Sequence, residues 1–507
     1  MSDNEDDVTE ASALLRQQHP TNPRHGGSDE NATGPASGAR WNTVQQSAYE
    51  TQTGTSIFPT DTRVDLTALV EDDNLLDLSP HELPRAHSDV NTQGSFVTVL
   101  SLWTTMMGSS LLVMPWAIQE AGLVLGLFLI FLMACLTCFP TTLIYKAADY
   151  LELTLKVPVV EFQDICSRLL GPRIAWISLA VSLLNLIGAM VVYWILMSTM
   201  LYQIGCFFYE VSYPGPANIT DGPFNLPTTG YFYQYWNDRL TVPFYLVFLL
   251  LPVICLQRPT FFTKLSSFGI VAVIFMITFV TTKIWTWGFH ATSATPNFTL
   301  ARGHFPALTG TLSMGFFIHN CILSMTAHHQ QPQKKTRDTA IAFLMVAVSY
   351  MIVGGGFYAA FPDDKKTIAD NFLKNFSNKE VLALAARALL FFQMFTVFPL
   401  LAYLFRVQLF YAAFGRLDLS YHFIIILNAV LVGVCLLFAS LYPRIGDILR
   451  VLGSICGLVY VFTLPLLLDL AVRSRAGEKS LLRTIIYVFL IGLGLANFIA
   501  QFVIPTH

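Results

Sequence analysis

The chain has 507 residues, of which 54% are hydrophobic and only 12% are charged, and its mean hydropathy is +0.54. These values exclude a water-soluble globular protein of this size and indicate a membrane protein. The net charge of −3 is unevenly distributed, because residues 1–94 hold 16 of the 33 acidic residues and 5 of the 30 basic ones. A basic, apolar region therefore follows an acidic one.

Residues 1–94 are predicted to form a disordered cytosolic tail. The segment is polar throughout, and its aromatic residues are limited to Trp41, Tyr49 and Phe58. Such a composition buries too little apolar surface to offset the entropy of ordering the chain. Its first residues, "MSDNEDDVTE", are acidic where a signal peptide has a basic start and an apolar core, so we expect the tail to stay in the cytosol.

Two short motifs in the tail indicate where the protein is delivered. Each consists of an acidic residue followed, after three residues, by a pair of leucines, the form that clathrin adaptors read on endolysosomal proteins. The motifs comprise Glu10, Leu14 and Leu15, and Glu71, Leu75 and Leu76. We therefore expect clathrin adaptors as partners, although so short a pattern also arises by chance in an acidic tail.

Residues 95–507 are predicted to form an all-α polytopic transmembrane domain. Because about 20 apolar residues cross a bilayer as a helix, this region contains eleven candidate spans. We call them segments 1 to 11, at 96–117, 121–146, 174–200, 240–257, 265–286, 305–326, 339–361, 380–405, 421–442, 450–471 and 481–504.

Segment 1 carries a helix-weakening sequence in its middle. The stretch "SLWTTMMGSSLLVMPWAIQEAG" (101–122) places Gly108, Ser109 and Ser110 between apolar runs, with Pro115 shortly after them. Inside a membrane, an unwound backbone is tolerated only where it faces protein or a water-filled cavity. The free N–H groups there suit a carboxylate, and the free carbonyls suit an ammonium group or Na⁺. The alternative is that the small residues only allow close helix packing.

Segment 6 has a similar interruption. In "LTGTLSMGFFIHNCILSM" (308–325), Gly310, Ser313 and Gly315 precede His319 and Asn320. Broken helices at positions one and six are typical of transporters built from a 5+5 inverted repeat, in which substrate binds between the two breaks. His319 is either a ligand or a proton-exchanging group, or a hydrogen-bonded structural residue.

The loops indicate an orientation. With the tail in the cytosol, alternation puts the short basic runs "QKKTRD" and "RSRAGEK" on the cytosolic side, as the positive-inside rule expects, and puts the C-terminus in the lumen. The lysines of loop 362–380 are an exception. The sequons at Asn218, Asn297 and Asn375 all fall in loops assigned to the lumenal side, where glycans are added.

Several stretches resemble one known family. "WTTMMGSSLLVMPWAIQEAG" (103–122), "FFIHNCILSM" (316–325), "FFQMFTVFPLLAYLFRVQLF" (391–410) and "VEFQDICSRLLGPR" (160–173) are similar to the amino acid/auxin permease superfamily. Within it, the chain resembles the sodium-coupled neutral amino acid transporters of solute carrier family 38, most closely their lysosomal, arginine-responsive branch. The resemblance covers about residues 95–505.

The resemblance implies an eleven-span fold, ten spans of which form the inverted repeat, and site residues taken by position. The implied substrate contacts are Thr104, Gly108, Ser109, Ser110, Ser313, Phe316 and His319. A sodium site would use the carbonyls of Thr104 and Met107 with the hydroxyl of Thr396, unless that hydroxyl bonds back to its own helix. Thr104 stands where the family usually has asparagine, which puts sodium dependence in doubt.

The leading hypothesis is a secondary active transporter that moves arginine, larger neutral amino acids, or both across the lysosomal membrane, with net efflux to the cytosol. The alternatives are a transceptor that signals through its tail with little transport, and a proton-coupled carrier. The resemblance implies Rag GTPases and the Ragulator complex as partners, although the relative's tail motif has no close match here. We expect no enzyme activity, no nucleic acid partner, and no cofactor other than sodium as a coupling ion.

Overall fold

The computed structural model describes residues 93–154, 156, 159, 161–213, 231–255, 260–266, 268–292, 295–327, 329–414, 421–478 and 480–504. The predicted tail with both dileucine motifs, and the sequon at Asn218, lie outside these ranges. Within them the fold is helical, with one isolated β-bridge between Gln93 and His329.

The helices follow the predicted segments closely. They are Ser95–Met107 and Ser110–Ala121 (segment 1), Leu123–Asp149 (segment 2), Pro172–Ser212 (segment 3), Thr241–Ile254 (segment 4), Gly269–Trp287 (segment 5), Pro306–Gly315 and Ile322–Thr326 (segment 6), Lys335–Tyr350 and Phe357–Ala360 (segment 7), Val381–Phe414 (segment 8), Tyr421–Leu441 (segment 9), Ile445–Cys456 and Leu464–Arg475 (segment 10) and Leu481–Val503 (segment 11). Shorter helices are Phe162–Leu170, Tyr231–Tyr235 and Thr260–Ser266, and π-helical turns are Tyr150–Thr154, Met351–Gly356 and Gly457–Thr463.

The number of spans is only partly settled by these helices. In the part of the chain that the structure describes, eight helices are long and apolar enough to cross a membrane, or nine when the bent pair of segment 1 counts as one span. Segment 4 forms a helix of only 14 residues, and segment 6 is divided in two. The chain is therefore a multi-pass membrane protein, whereas the count of eleven and the inverted repeat remain predictions.

The broken segments lie at the centre of the bundle. All twelve residues of Ser110–Ala121 are buried, and so are nine of the ten residues of Pro306–Gly315. A helix buried on every side belongs to the middle of a helical protein. Gly310 allows close packing there, because a Cβ at this position would lie 2.6 Å from the carbonyl oxygen of Arg450 in segment 10.

Contacts between loops show which loops lie at the same end of the bundle. At one end, Gln330 N–H donates to the carbonyl of Gln93 over 3.0 Å. At the other end, the Asn297 side-chain amide donates to both Asp364 oxygens, over 2.8 and 2.9 Å. Gln93, just before segment 1, and loop 327–338 thus share one end, and loops 288–305 and 362–380 share the other. This grouping agrees with the predicted alternation, although the side that faces the cytosol remains a prediction.

Two of the three sequon asparagines lie at the second end, and their amides are engaged in loop contacts. Asn297 is held by Asp364, whose pKa is lowered first by the hydrogen bond from the Lys366 backbone N–H. Asn375 donates its amide to the carbonyl of Thr367 over 2.7 Å. Glycosylation at both positions remains a prediction.

Candidate functional site

Segment 1 breaks at Gly108 and Ser109, where its two halves meet at an angle of 60°. The Gly108 backbone, with φ 18° and ψ −148°, is far from helical values. Pro115 lies inside the second half without ending it, so the glycine and not the proline marks the break. A Cβ added to Gly108 would meet no atom within 4 Å. The first break therefore opens onto free space.

Segment 6 breaks over residues 316–321, and this longer break is tightly packed. Phe316 and His319 are 0% exposed. The ring of Phe316 stacks on Phe343 at a centroid distance of 5.8 Å and meets the edge of Tyr350 at 5.6 Å. Neighbouring segments thus hold this backbone in place, together with short-range backbone hydrogen bonds such as those from Phe316 N–H to the Leu312 carbonyl and from Cys321 N–H to the Ile318 carbonyl.

Tyr350 connects the two breaks. Its hydroxyl lies 3.0 Å from the carbonyl oxygen of Met106 and 3.0 Å from that of Gly315. It also lies 2.9 Å from the hydroxyl of Ser110. Met106 is near the end of the first half of segment 1, Ser110 begins the second half, and Gly315 ends the first half of segment 6. One phenol therefore lies among three of the four half-helix ends.

These ends provide the groups that an amino acid needs. The carbonyls at the ends of Ser95–Met107 and Pro306–Gly315 carry partial negative charge and suit an ammonium group. The start of Ser110–Ala121 presents N–H groups with partial positive charge and suits a carboxylate. The side chain of Ser109, the N-cap residue of this helix, makes no capping hydrogen bond to these N–H groups.

The structure brings together four of the predicted substrate residues. Gly108 and Ser109 form the first break, Ser110 begins the half-helix after it, and Phe316 begins the second break. Ser110 and Phe316 both contact Tyr350, so the two breaks face each other across this side chain. The roles of these four residues as substrate contacts remain predictions, which the geometry of the two breaks favours.

The other three predicted substrate residues direct their side chains elsewhere in this conformation. The Thr104 hydroxyl donates to the carbonyls of its own helix, at 2.9 Å from Leu100 and 3.1 Å from Ser101. The Ser313 hydroxyl donates to its own Thr309 carbonyl over 2.8 Å. This geometry favours structural roles for both hydroxyls.

His319 contacts segment 2. Its Nε2 lies 2.9 Å from the carbonyl oxygen of Thr137, and the buried Nδ1 has no hydrogen-bond partner among the residues described. The side chain is fully buried. This geometry favours a structural role for His319 rather than direct contact with the substrate.

The predicted sodium ligands are divided between segments 1 and 8. Thr396 is buried, and its hydroxyl donates to the Gln393 carbonyl of its own helix over 2.8 Å. The carbonyls of Thr104 and Met107 lie in the last turns of the first half of segment 1. Sodium binding by these three residues remains a prediction.

Sequence reasoning missed Tyr350 and Tyr460. The hydroxyl of Tyr460 donates to the Ser178 carbonyl over 2.7 Å, and its ring meets the edge of Phe317 in the second break at 5.4 Å. Tyr350 directly precedes one π-helical turn, and Tyr460 lies within another. π-Helical turns are frequent at functional sites. Neither Met351–Gly356 nor Gly457–Thr463 contains a proline or a polar run from which a π-helical turn could be predicted.

Glu161 is a further residue that sequence reasoning missed. It caps the helix Phe162–Leu170, is 4% exposed, and has one side-chain oxygen without a hydrogen-bond partner among the residues described. Burial, and next the Asp164 carboxylate, raise the pKa of Glu161 well above its ordinary value of 4.5.

Comparison with known proteins identifies the family. Residues 92–504 match the family described as "Transmembrane amino acid transporter protein". The chain is 38% identical over 472 residues to the "Sodium-coupled neutral amino acid transporter 9 homolog" of Caenorhabditis elegans, covering 85% of this chain and 76% of the relative. It is 39% identical over 447 residues to "Neutral amino acid transporter 9" of Xenopus laevis, covering 80% of each.

A further relative is "Neutral amino acid transporter 9" of Rattus norvegicus, 37% identical over 443 residues and covering 80% of this chain and 79% of the relative. The predicted family is therefore confirmed, and so is the prediction that the chain is not an enzyme, because the family consists of transporters. The chain belongs to the transmembrane amino acid transporter family and is an amino acid transporter of the solute carrier family 38 type.

Proposed function

We propose that the chain binds one amino acid between the breaks of segments 1 and 6 and carries it across the lysosomal membrane, with net efflux to the cytosol. The substrate class is arginine together with larger neutral amino acids. The observation that carries this proposal is the meeting of half-helix ends around Tyr350. The names of the relatives, which specify neutral amino acids, support it.

The two ends of the site suit the two charges of a zwitterion. The carbonyls of Met106 and Gly315 accept hydrogen bonds in this structure and would accept them from the substrate ammonium group. The N–H groups at the start of Ser110–Ala121 would receive the carboxylate. The space beside Gly108 would hold the substrate's own atoms.

Location and signalling depend on the tail. The dileucine motifs of residues 1–92 support delivery to lysosomes by clathrin adaptors, and the family resemblance supports contact with Rag GTPases and Ragulator. Pull-down with the tail as bait tests both partners. Capture of adaptors that persists after the leucine pairs are changed to alanine would contradict the sorting proposal.

Uptake into proteoliposomes tests the transport proposal. Purified protein is given radiolabelled arginine, leucine or glutamine while the sodium and pH gradients are varied independently. Saturable flux driven by one gradient identifies the coupling ion as sodium or the proton. Saturable binding without flux under any gradient would contradict transport and favour the transceptor alternative.

Glu161 favours a second candidate, the proton-coupled carrier. Its pKa is raised first by burial and next by the Asp164 carboxylate on its own helix. Because its pKa is raised in this conformation, the conformation binds a proton more tightly than one that exposes Glu161 to water. Lowering the pH at this end therefore favours the conformation described, over the range between 4.5 and the raised value.

The Glu161→Gln variant tests proton coupling. Glutamine keeps the size of the side chain and cannot titrate, so uptake by the variant should lose its dependence on the pH at this end. The conservative control Glu210→Gln alters a carboxylate at the other end of the bundle. An unchanged pH profile in Glu161→Gln would exclude Glu161 as the coupling group.

A further inference from the structure

The hydroxyl of Tyr350 occupies the acceptors that the proposed function assigns to the substrate. It lies 3.0 Å from both the Met106 and Gly315 carbonyl oxygens, and the side chain is 0% exposed. Met106 and Gly315 lie at the ends of two different half-helices. A single side chain of segment 7 therefore links segments 1 and 6 at the place where each is broken.

The number of protons limits what this side chain can do. A phenol has one proton and donates to one of the two carbonyls at a time, while Ser110 can donate its own proton to the phenol oxygen. An ammonium group has three protons and can satisfy both carbonyls at once. The substrate amine is thus the better donor for the same two acceptors, and both cannot occupy the same position.

We propose that Tyr350 is a latch for the empty carrier, which takes the place of the substrate amine and is displaced when an amino acid binds. This inference rests on the proposed function and adds a residue to it. Without the latch, the buried carbonyls of Met106 and Gly315 would lose the donor that they share in the empty carrier, which is unfavourable. The latch therefore allows the carrier to return across the membrane without substrate.

A π-helical turn beside Tyr350 offers a way to redirect its side chain. The residue ends the α-helix Lys335–Tyr350, and the π-helical turn Met351–Gly356 follows at once. Gly354 and Gly355 in this turn pack against Ile118 and Leu127. A π-helical turn holds one extra residue, so returning to α-helical geometry would change the direction of the side chains before it.

The Tyr350→Phe variant separates the latch from a purely structural role. The ring and its edge contact with Phe316 are kept, and only the hydroxyl is removed. Two fluxes are measured in proteoliposomes: net uptake into empty vesicles, which requires return of the empty carrier, and exchange into vesicles loaded with amino acid, which does not. We expect net uptake to fall about tenfold or more relative to exchange.

The same variant should also bind substrate more tightly. Removing a competitor from the site raises the fraction of carrier that can bind, so the KM of exchange should fall several-fold. Tyr358→Phe is the matched control, because Tyr358 is a buried tyrosine of the same segment whose hydroxyl contacts Thr299 in a loop. That variant should show the wild-type ratio of net uptake to exchange.

Gly315→Ala provides an independent test that keeps the phenol. An alanine Cβ at this position would lie 2.8 Å from the Tyr350 hydroxyl and 3.1 Å from its ring, so the phenol must move away. In Gly315→Ala the ratio of net uptake to exchange should fall as it does in Tyr350→Phe. The latch can therefore be tested with Gly315→Ala even if Tyr350→Phe does not fold. A wild-type ratio and KM in either folded variant would overturn the latch. Absence of wild-type flux would overturn the proposed function itself.

Discussion

The two breaks differ in length and packing. The break in segment 1 is confined to Gly108 and Ser109 and opens onto free space beside the glycine. The break in segment 6 extends over 316–321 and contains fully buried side chains that pack on three other segments. One break therefore has room for a ligand, and the other is fixed by its neighbours.

This difference suggests a division of roles. An open break with little side-chain bulk can present its backbone to the charged groups of any amino acid. A packed break whose side chains touch segments 2, 7 and 10 transmits movement of those segments to the site. Substitutions in the first break should therefore act on substrate binding, and substitutions in the second should act on stability and conformation.

The largest effect is expected from Gly108→Leu. The leucine side chain would enter the space beside Gly108, where the substrate is proposed to lie. Uptake in proteoliposomes should fall at least about a hundredfold, as expected for loss of a whole binding site, while the variant still folds and inserts. Gly433→Leu is the matched control, since Gly433 is exposed on segment 9 and also has open space around it. Wild-type flux in folded Gly108→Leu would contradict an open substrate site.

An intermediate effect is expected from His319→Ala. The change leaves the Thr137 carbonyl without its partner and opens a cavity at a buried position. The free energy of unfolding should fall by about 2–4 kcal/mol, as measured by thermal unfolding in detergent. The exposed His422 in segment 9 supplies the control His422→Ala, which should unfold like the wild type. Full stability with loss of substrate binding would instead make His319 a ligand.

The smallest effect is expected from Ser313→Ala. The Ser313 hydroxyl donates to its own helix, and a Cβ on Gly457 would meet the Ser313 Cβ at 2.9 Å. The residue therefore packs against segment 10, and the KM of uptake should stay within about twofold of the wild type. Ser110→Ala removes a hydroxyl that contacts Tyr350 and should change the KM more. A larger change in Ser313→Ala would place Ser313 in the substrate site.

Much of the fold could be predicted because membrane-crossing helices are long and apolar. The break of segment 1 is where glycine and serine predict it, at Gly108 and Ser109. In segment 6 the predicted interruption at Gly310, Ser313 and Gly315 is wrong in position, because these residues belong to the helix Pro306–Gly315 and the break follows them at 316–321. Segment 3 was predicted to end at residue 200, but its helix continues to Ser212. The polar residues after 200 are compatible with a helix that extends beyond the hydrocarbon layer.

The candidate site was less predictable, because its central residue belongs to neither break. Tyr350 lies in "MVAVSYMIVGGG", where an aromatic residue in an apolar helix is unremarkable in sequence. Only folding places it between Met106 and Gly315. Hydroxyl groups such as those of Thr104 and Thr396 were also ambiguous, because bonding back to the helix and binding a ligand require the same residue types.

The most direct test of the central claim is a structure of the protein determined with a saturating amino acid substrate. We expect the substrate ammonium group within hydrogen-bond distance of the Met106 and Gly315 carbonyl oxygens, with the Tyr350 hydroxyl moved away from both. A substrate bound elsewhere, with Tyr350 still in contact with both carbonyls, would contradict the account.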